Sequence, residues 1–164
     1  MSRRSQLRLI FHGAVFILIS TMVQAYPGLQ VAFFNLMGDP VRQYLRQAHL
    51  ILVVTGIYMI ASSMVLPLLE LTSRGISLLV WSFVVSGYTF LGAFVSLFVG
   101  FGLQNHPPDP ALNQWQQTMA IPFPLNWINI VMVGVSGASS FIPGLLIVWG
   151  AYKAMDHSPV DQIH

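Results

Sequence analysis

Long apolar stretches separated by short polar segments dominate the pattern of this chain. A membrane-spanning helix needs about 20 predominantly apolar residues, and four stretches reach that length. These stretches cover residues 9–26, 48–69, 76–103 and 123–152. The last two exceed the minimum, so we expect them to tilt, bend or protrude from the bilayer. The pattern therefore predicts an all-α membrane protein, a bundle of four transmembrane helices that forms a single domain over residues 1–164.

Composition strengthens this prediction. Only 7% of the residues are charged, whereas soluble domains carry about 25%, and the mean hydropathy is +0.69. So few charges cannot cover the surface of a soluble globule. The basic residues are not clustered on one element, which argues against a nucleic-acid partner. The absence of cysteine excludes disulfides, iron–sulfur clusters and thiolate-bound metal.

The positions of the basic residues predict the orientation of the bundle. Three arginines precede the first stretch, Arg74 lies between the second and third, and Lys153 follows the fourth, whereas Arg42 and Arg46 fall on the other side. The positive-inside rule then places both termini in the cytoplasm. We expect a multi-pass protein of the inner (cytoplasmic) membrane. Residues 1–25 imitate a signal peptide, but the stretch is long enough to span and we expect it to be retained.

Small residues and prolines predict local features of the last two stretches. Ser86, Ala93 and Ser96 belong to a series of small residues at helical spacing in the third stretch. In lipid such residues let helix backbones approach closely, so we expect helix packing there, with a substrate passage as the alternative. Pro143 should kink the fourth helix or end its regular hydrogen bonding. The prolines between residues 104 and 124 exclude a continuous helix in that segment.

Two of the five histidines lie near membrane depth and are the candidate functional side chains. His12 opens the first stretch, where a bond to the backbone or to a lipid headgroup is the simpler interpretation. His49 heads the second stretch. Ionisable groups within spans tend to face the bundle interior and to be functional. Imidazole is also the commonest metal ligand and the usual axial ligand of haem, although a histidine bonded across helices remains the alternative.

The residues around His49 favour haem over a bare metal ion. The chain has no HExxH motif and no carboxylate cluster with metal spacing. A bare zinc site needs about three protein ligands, whereas haem needs one, because the porphyrin supplies four. Arg42 and Arg46 precede His49 and could pair with the haem propionates through bidentate contacts. Anchoring of these two arginines to lipid headgroups is the alternative.

Several short motifs follow one another in a recognisable order. His12–Gly13 comes first, then His49, Gly56, Pro67 and the segment SGYTFLGAF over Ser86–Phe94. Their order and spacing resemble a small four-helix membrane family that contains styrene oxide isomerase and hydroxylaminobenzene mutase. The resemblance covers about residues 11–103 and is only generic in the fourth stretch. The short Ala48–Leu50 motif (AHL) and the overall size look most like hydroxylaminobenzene mutase.

This resemblance implies a function. It implies an isomerase with haem b bound through His49, in a homo-oligomer for which a trimer with haem between protomers is favoured. The expected reaction rearranges an aryl hydroxylamine to an ortho-aminophenol by intramolecular hydroxyl transfer, with iron as Lewis acid. Isomerisation of an epoxide to an aldehyde is the alternative within the family. A non-catalytic b-type haem protein, with His12 as second ligand, or an accessory membrane subunit are the alternatives outside it.

Three positions depart from the expected pattern. The family asparagine before the glycine is Thr55 here, and the third-helix asparagine falls on Phe90. The tyrosine that steers the epoxide in styrene oxide isomerase falls on Phe94. Losing these polar groups argues against epoxide isomerisation in its known form. We assign Thr55, Phe90 and Phe94 to the substrate pocket, and Thr55 and Tyr88 as catalytic candidates. The aromatic rings could stack on a cationic aryl ring, although core or lipid packing is the alternative.

Overall fold

A computed structural model describes residues 3–25, 27–104, 111 and 114–156, with side chains except at 23–45, 101–104, 114 and 115. The described residues are almost entirely helical and include no β-strand. The helices are α1 (Arg3–Ala25), α2 (Pro27–Val65), α3 (Ser73–Gln104), α4 (Gln114–Ala120) and α5 (Leu125–Asp156). A short 3₁₀ turn, Leu66–Leu68, follows α2.

Four of these helices contain segments long and apolar enough to cross a membrane. The segments are Arg3–Met22, Arg46–Leu68, Ser73–Gly100 and Leu125–Asp156. The prediction of an all-α bundle with four spanning helices is therefore confirmed. In lipid a helix satisfies every backbone hydrogen bond within itself, which is why hydropathy alone locates these elements.

Some helices extend into segments that hydropathy predicts to lie outside the membrane-spanning stretches. α2 begins at Pro27, well before the predicted start at residue 48. Proline suits the first position of a helix, because its missing N–H would have no partner there. A second difference is the short helix α4, which lies within the proline-rich segment. Hydropathy detects only the apolar part of a helix, so it missed both.

Pro143 lies inside α5, and the helix continues past it to Asp156. Of the two alternatives expected at this proline, an end to the helix does not occur, and a kink stays a prediction. Pro143 is buried, so this interior proline, which removes one hydrogen bond from the helix, lies on a packed face of α5.

The helices pack mainly as two pairs, α1 with α2 and α3 with α5, and α1 also contacts α3. The main core cluster is apolar and comes from α1, α2, the 3₁₀ turn and α3: Leu9, Phe16, Leu52, Met59, Leu66, Leu79, Val80, Phe83 and Val84. Many other large apolar side chains are exposed, among them Phe141, Leu145 and Val148 on α5. In a bilayer these side chains contact lipid tails rather than water, so their exposure carries no hydrophobic penalty.

Small polar residues join α3 to α5. The Ser86 hydroxyl donates to the Ser136 carbonyl at 3.1 Å, and the Ser136 hydroxyl donates to the Ser86 carbonyl at 2.9 Å. Further along the same seam, the side chain of Asn129 bonds to Ala93 and Ser96. The predicted helix packing through small residues of the third stretch is therefore confirmed, and the partner is α5 of the same chain.

Candidate functional site

The imidazole of His49 lies at the seam between α1 and α2, against Ser20. The Ser20 hydroxyl donates to the His49 carbonyl at 3.1 Å. His49 Nδ1 lies 2.5 Å from Ser20 Oγ and 3.3 Å from the Ser20 carbonyl oxygen. Ser20 is fully buried and His49 is partly buried. The histidine is therefore anchored on one side by a neighbouring helix.

This geometry favours the tautomer with its hydrogen on Nδ1. The Ser20 hydroxyl donates to the His49 carbonyl, which leaves the lone pairs of Ser20 Oγ to accept a hydrogen from Nδ1. The second partner of Nδ1 is a carbonyl oxygen, which is also an acceptor. With the hydrogen on Nδ1 both contacts are hydrogen bonds, and Nε2 keeps its lone pair. No other residue that the structure describes is hydrogen-bonded to Nε2.

The donor set at His49 fits a haem iron. A ligating imidazole uses one nitrogen for the metal and donates its other N–H to a carbonyl or similar acceptor, as Nδ1 does here. Within the described part of the chain, no group of three or more His, Asp or Glu side chains could hold a bare metal ion. Arg46 is exposed and lies about one helical turn before His49. The side chain of Arg42 lies outside the described residues, so its predicted role stays a prediction.

Two glycines set the register that brings Ser20 to His49. A Cβ atom added to Gly56 would lie 2.6 Å from the Gly13 carbonyl oxygen, and one added to Gly13 would lie 2.7 Å from the Gly56 carbonyl oxygen. The backbones of α1 and α2 therefore touch at this point. Ser20 lies about two turns after Gly13, and His49 lies about two turns before Gly56. Antiparallel helices that cross at the glycines consequently bring Ser20 opposite His49.

His12 and Tyr88 form a second polar contact, between α1 and α3. His12 Nδ1 lies 3.1 Å from the Tyr88 hydroxyl, and the two rings meet edge to face with centroids 5.6 Å apart. Phe16 packs against the Tyr88 ring at 4.9 Å and occupies the space that a side chain at Gly87 would need. His12 thus has a side-chain partner, and the catalytic candidate Tyr88 lies on the α1 side of α3.

Two of the predicted pocket residues do line a common cleft. The cleft lies between α2, α3 and α5 and has a volume of about 90 Å³. Phe90 and Phe94 line it from α3, Ala48 and Ile51 from α2, and Asn129 and Val133 from α5. The residues described as lining it include no charged side chain. Seven of the nine lining residues are apolar, and Gln47 and Asn129 are polar, a combination typical of sites for small organic molecules.

The cleft does not include every residue predicted for the pocket. Thr55 is partly buried but does not line the cleft, and Tyr88 lies at the α1 contact. His49 and the cleft also lie on different faces of α2. At 3.6 residues per turn these faces are roughly 150° apart. Within one chain, His49 and the cleft therefore do not form a single site.

Two residues of this region were not predicted. Ser20 is one of several small polar residues in the first stretch, and only the helix register shows that it contacts His49. Asn129 lines the cleft and is 7% exposed. A signal for it was present, because an amide side chain inside a spanning stretch is costly unless it has partners.

The fold and these contacts define a multi-pass integral membrane protein with an anchored histidine and a separate aromatic cleft. In a comparison with protein families, the model for styrene oxide isomerase matches residues 5–152. The chain belongs to the styrene oxide isomerase family and is a membrane isomerase related to that enzyme. The match reaches all four spanning helices, including the fourth, where the motifs alone are generic. No curated protein matches the chain, and no solved structure does.

Proposed function

We propose that this protein is a haem-dependent isomerase of the inner membrane, with both termini in the cytoplasm. Its proposed reaction converts an aryl hydroxylamine (hydroxylaminobenzene) to an ortho-aminophenol by intramolecular hydroxyl transfer. The observation that carries the proposal is the uncharged cleft lined by Phe90 and Phe94. Isomerisation of an aryl epoxide to an aldehyde is the second candidate, favoured by the family match.

The proposed rearrangement balances without an oxidant or a reductant. The N–O bond breaks heterolytically and leaves positive charge on the nitrogen and the aryl ring. The oxygen forms a new bond to the ortho carbon, that carbon loses its proton, and the nitrogen gains one. The faces of Phe90 and Phe94 would stabilise the cationic ring. The apolar lining would keep bulk water from capturing it.

His49 would hold haem b through Nε2, with Arg42 and Arg46 as partners of the propionates. When bound, the iron supplies a Lewis acid for the oxygen of the scissile bond. The role of the chain itself is to present the imidazole in the correct tautomer. Ser20 performs this role, since both of its oxygen atoms near Nδ1 are acceptors.

A second copy of the chain would complete the site. His49 and the cleft lie on different faces of α2, so a site that uses both would need the His49 face of a second protomer beside the cleft of the first. This arrangement supports a homo-oligomer, and the family resemblance favours a trimer. The two proposed catalytic side chains, Thr55 and Tyr88, also lie outside the cleft and would act only across such an interface.

The side chains at the cleft favour the hydroxylamine over the epoxide. An epoxide oxygen is only an acceptor, and it gains from a hydroxyl or amide donor beside it. Phe94 provides no such donor where styrene oxide isomerase has a tyrosine, and the polar groups that do line the cleft are the amides of Gln47 and Asn129. An aryl hydroxylamine carries its own donors and so depends less on donors from the protein.

The test is a spectrum followed by an assay with isotope-labelled water. Protein purified in detergent from haem-sufficient cells should show a Soret band that His49→Ala loses and His12→Ala retains, with helicity unchanged by circular dichroism. Phenylhydroxylamine should yield ortho-aminophenol without oxygen from H₂¹⁸O. A spectrum with no Soret band would contradict haem dependence. Loss of the band in both variants would indicate a bis-histidine cytochrome, and turnover of styrene oxide alone would favour the second candidate.

A further inference from the structure

Asn129 is a buried amide at the wall of the cleft, on α5. It is 7% exposed. Its Nδ2 atom donates to the Ala93 carbonyl at 2.5 Å and lies 3.4 Å from the Ser96 hydroxyl. Polar side chains inside spanning helices normally bond to a neighbouring helix, and the nitrogen of this amide does so.

The contact with Ala93 determines how the amide is oriented. A backbone carbonyl only accepts hydrogen bonds, so the NH₂ group of Asn129 must face it. The reversed amide would place two carbonyl oxygens against each other, which hydrogen-bonding logic excludes. The side-chain oxygen Oδ1 therefore takes no part in the hydrogen bonds to α3.

Oδ1 is an acceptor without a partner among the described residues. The hydrogen bonds of Asn129 all involve Nδ2. Within the described part of the chain, Ser62 Oγ alone is both enclosed and without a hydrogen-bond partner. Oδ1 consequently keeps access to open space, and Asn129 is one of the residues that line the cleft. Gln47 is the other polar lining residue and is exposed, so Oδ1 of the buried Asn129 is the acceptor that the helix contact holds in place.

We propose that Asn129 determines substrate specificity by accepting a hydrogen bond from an N–H or O–H group attached to the aryl ring of the substrate. This inference rests on the proposed function, since it takes the cleft as the place where the substrate binds. An aryl hydroxylamine carries both donors, whereas an aryl epoxide carries neither. A site built to bond a donor rejects an analogue that lacks it, because the polar group of the site is then left unpaired.

The size of the cleft is consistent with this mode of binding. Its volume of about 90 Å³ is smaller than the roughly 150 Å³ of a closed cavity that binds benzene. The cleft is not fully enclosed, so the polar substituent and one edge of the ring would occupy it and the rest of the ring would lie at the opening. Asn129 is then within reach of the substituent and not of the far edge.

The experiment measures binding of two ligands of the same shape by the full chain in lipid nanodiscs. The ligands are 4-fluoroaniline, which has N–H donors, and 4-fluorotoluene, which has none, both followed by ¹⁹F NMR. Empty nanodiscs correct for partition into lipid. We expect wild type to prefer 4-fluoroaniline by about tenfold, the effect of one hydrogen bond. Asn129→Leu should abolish this preference.

Two variants separate the acceptor from the helix contact. Ser96→Ala removes the second neighbour of Nδ2 and leaves Oδ1 in place, so it should keep the preference for 4-fluoroaniline. Ser136→Ala weakens the contact between α3 and α5 away from the cleft. This variant should also keep the preference for 4-fluoroaniline. Wild type without a preference between the two ligands overturns the proposal, even if Asn129→Leu fails to fold. So does an Asn129→Leu protein that folds and retains the preference.

Binding of these ligands needs neither turnover nor haem, so the two hypotheses can fail separately. A preference that depends on Asn129, in protein that rearranges no substrate, leaves this inference standing and overturns the proposed function. A protein that rearranges phenylhydroxylamine but shows no ligand preference would support the proposed function and overturn the role of Asn129.

Discussion

Ser20 and His49 contact each other across the seam of α1 and α2 through both side chains and both carbonyl groups. The serine hydroxyl donates to the histidine carbonyl at 3.1 Å, and His49 Nδ1 lies within hydrogen-bonding distance of both serine oxygens. Serine contributes both a side-chain and a backbone acceptor, so the imidazole has little freedom to rotate. The free nitrogen of the ring is therefore held in one direction before any ligand binds.

Ser20→Ala should weaken haem binding while the chain stays folded. Removing an outer hydrogen-bond partner of a ligating histidine typically costs about 10- to 100-fold in affinity. Because the Ser20 carbonyl remains near Nδ1, we expect the lower end of this range. The measurement is titration of haem into apoprotein, followed through the Soret band. Thr21→Val is the matched control, since the Thr21 hydroxyl bonds only to its own helix at Ile17. Equal affinities of Ser20→Ala and wild type would contradict the positioning role.

Gly56→Ala should destabilise the α1–α2 pair by about 1–3 kcal/mol, the usual cost of forcing extra volume into a packed site. Its new methyl group would lie 2.6 Å from the Gly13 carbonyl oxygen, so one backbone must move. The measurement is thermal unfolding in detergent by circular dichroism.

Gly134→Ala is the control for this substitution. A Cβ atom at Gly134 meets no other atom within 4 Å, and alanine favours helix over glycine by up to about 1 kcal/mol. We expect this variant to be at least as stable as wild type. Similar losses of stability in both variants would show that the Gly13–Gly56 contact is not what limits the substitution.

Ser86→Ala and Ser136→Ala should each cost about 0.6 kcal/mol, the average for a hydrogen bond between membrane helices. The two bonds use different donors and acceptors, so we expect the double variant to cost nearly the sum. Unfolding in detergent with increasing denaturant measures all three. Ser140→Ala is the control, since its exposed hydroxyl bonds within α5 to Gly137. No loss of stability in the double variant would mean that the reciprocal pair contributes nothing.

Phe94→Tyr should raise turnover of styrene oxide relative to phenylhydroxylamine. The added hydroxyl brings a donor to the cleft, which an epoxide oxygen can accept. Competition between the two substrates in one reaction, with products separated by chromatography, measures the ratio directly. Phe98→Tyr is the control, because Phe98 packs against Phe94 with ring centroids 4.6 Å apart but does not line the cleft. An unchanged ratio in Phe94→Tyr would show that this position does not face the substrate.

The sequence by itself determined the number and approximate position of the spanning helices and the family. A bilayer forces the backbone to pair within each apolar stretch, so hydropathy is sufficient to find them. It also singled out His49, since an ionisable side chain is rare in such a stretch. The motif around Gly13 and Gly56 was visible as well, but its role as the crossing point of two helices was not.

Only the tertiary structure decided which side chains meet. It paired His49 with Ser20, separated Tyr88 from Phe90 and Phe94, and brought Asn129 into the cleft. These contacts depend on the register and rotation of helices that are distant along the chain. Packing of small residues between the helices sets both quantities, and periodicity within one helix carries no information about its neighbour's rotation.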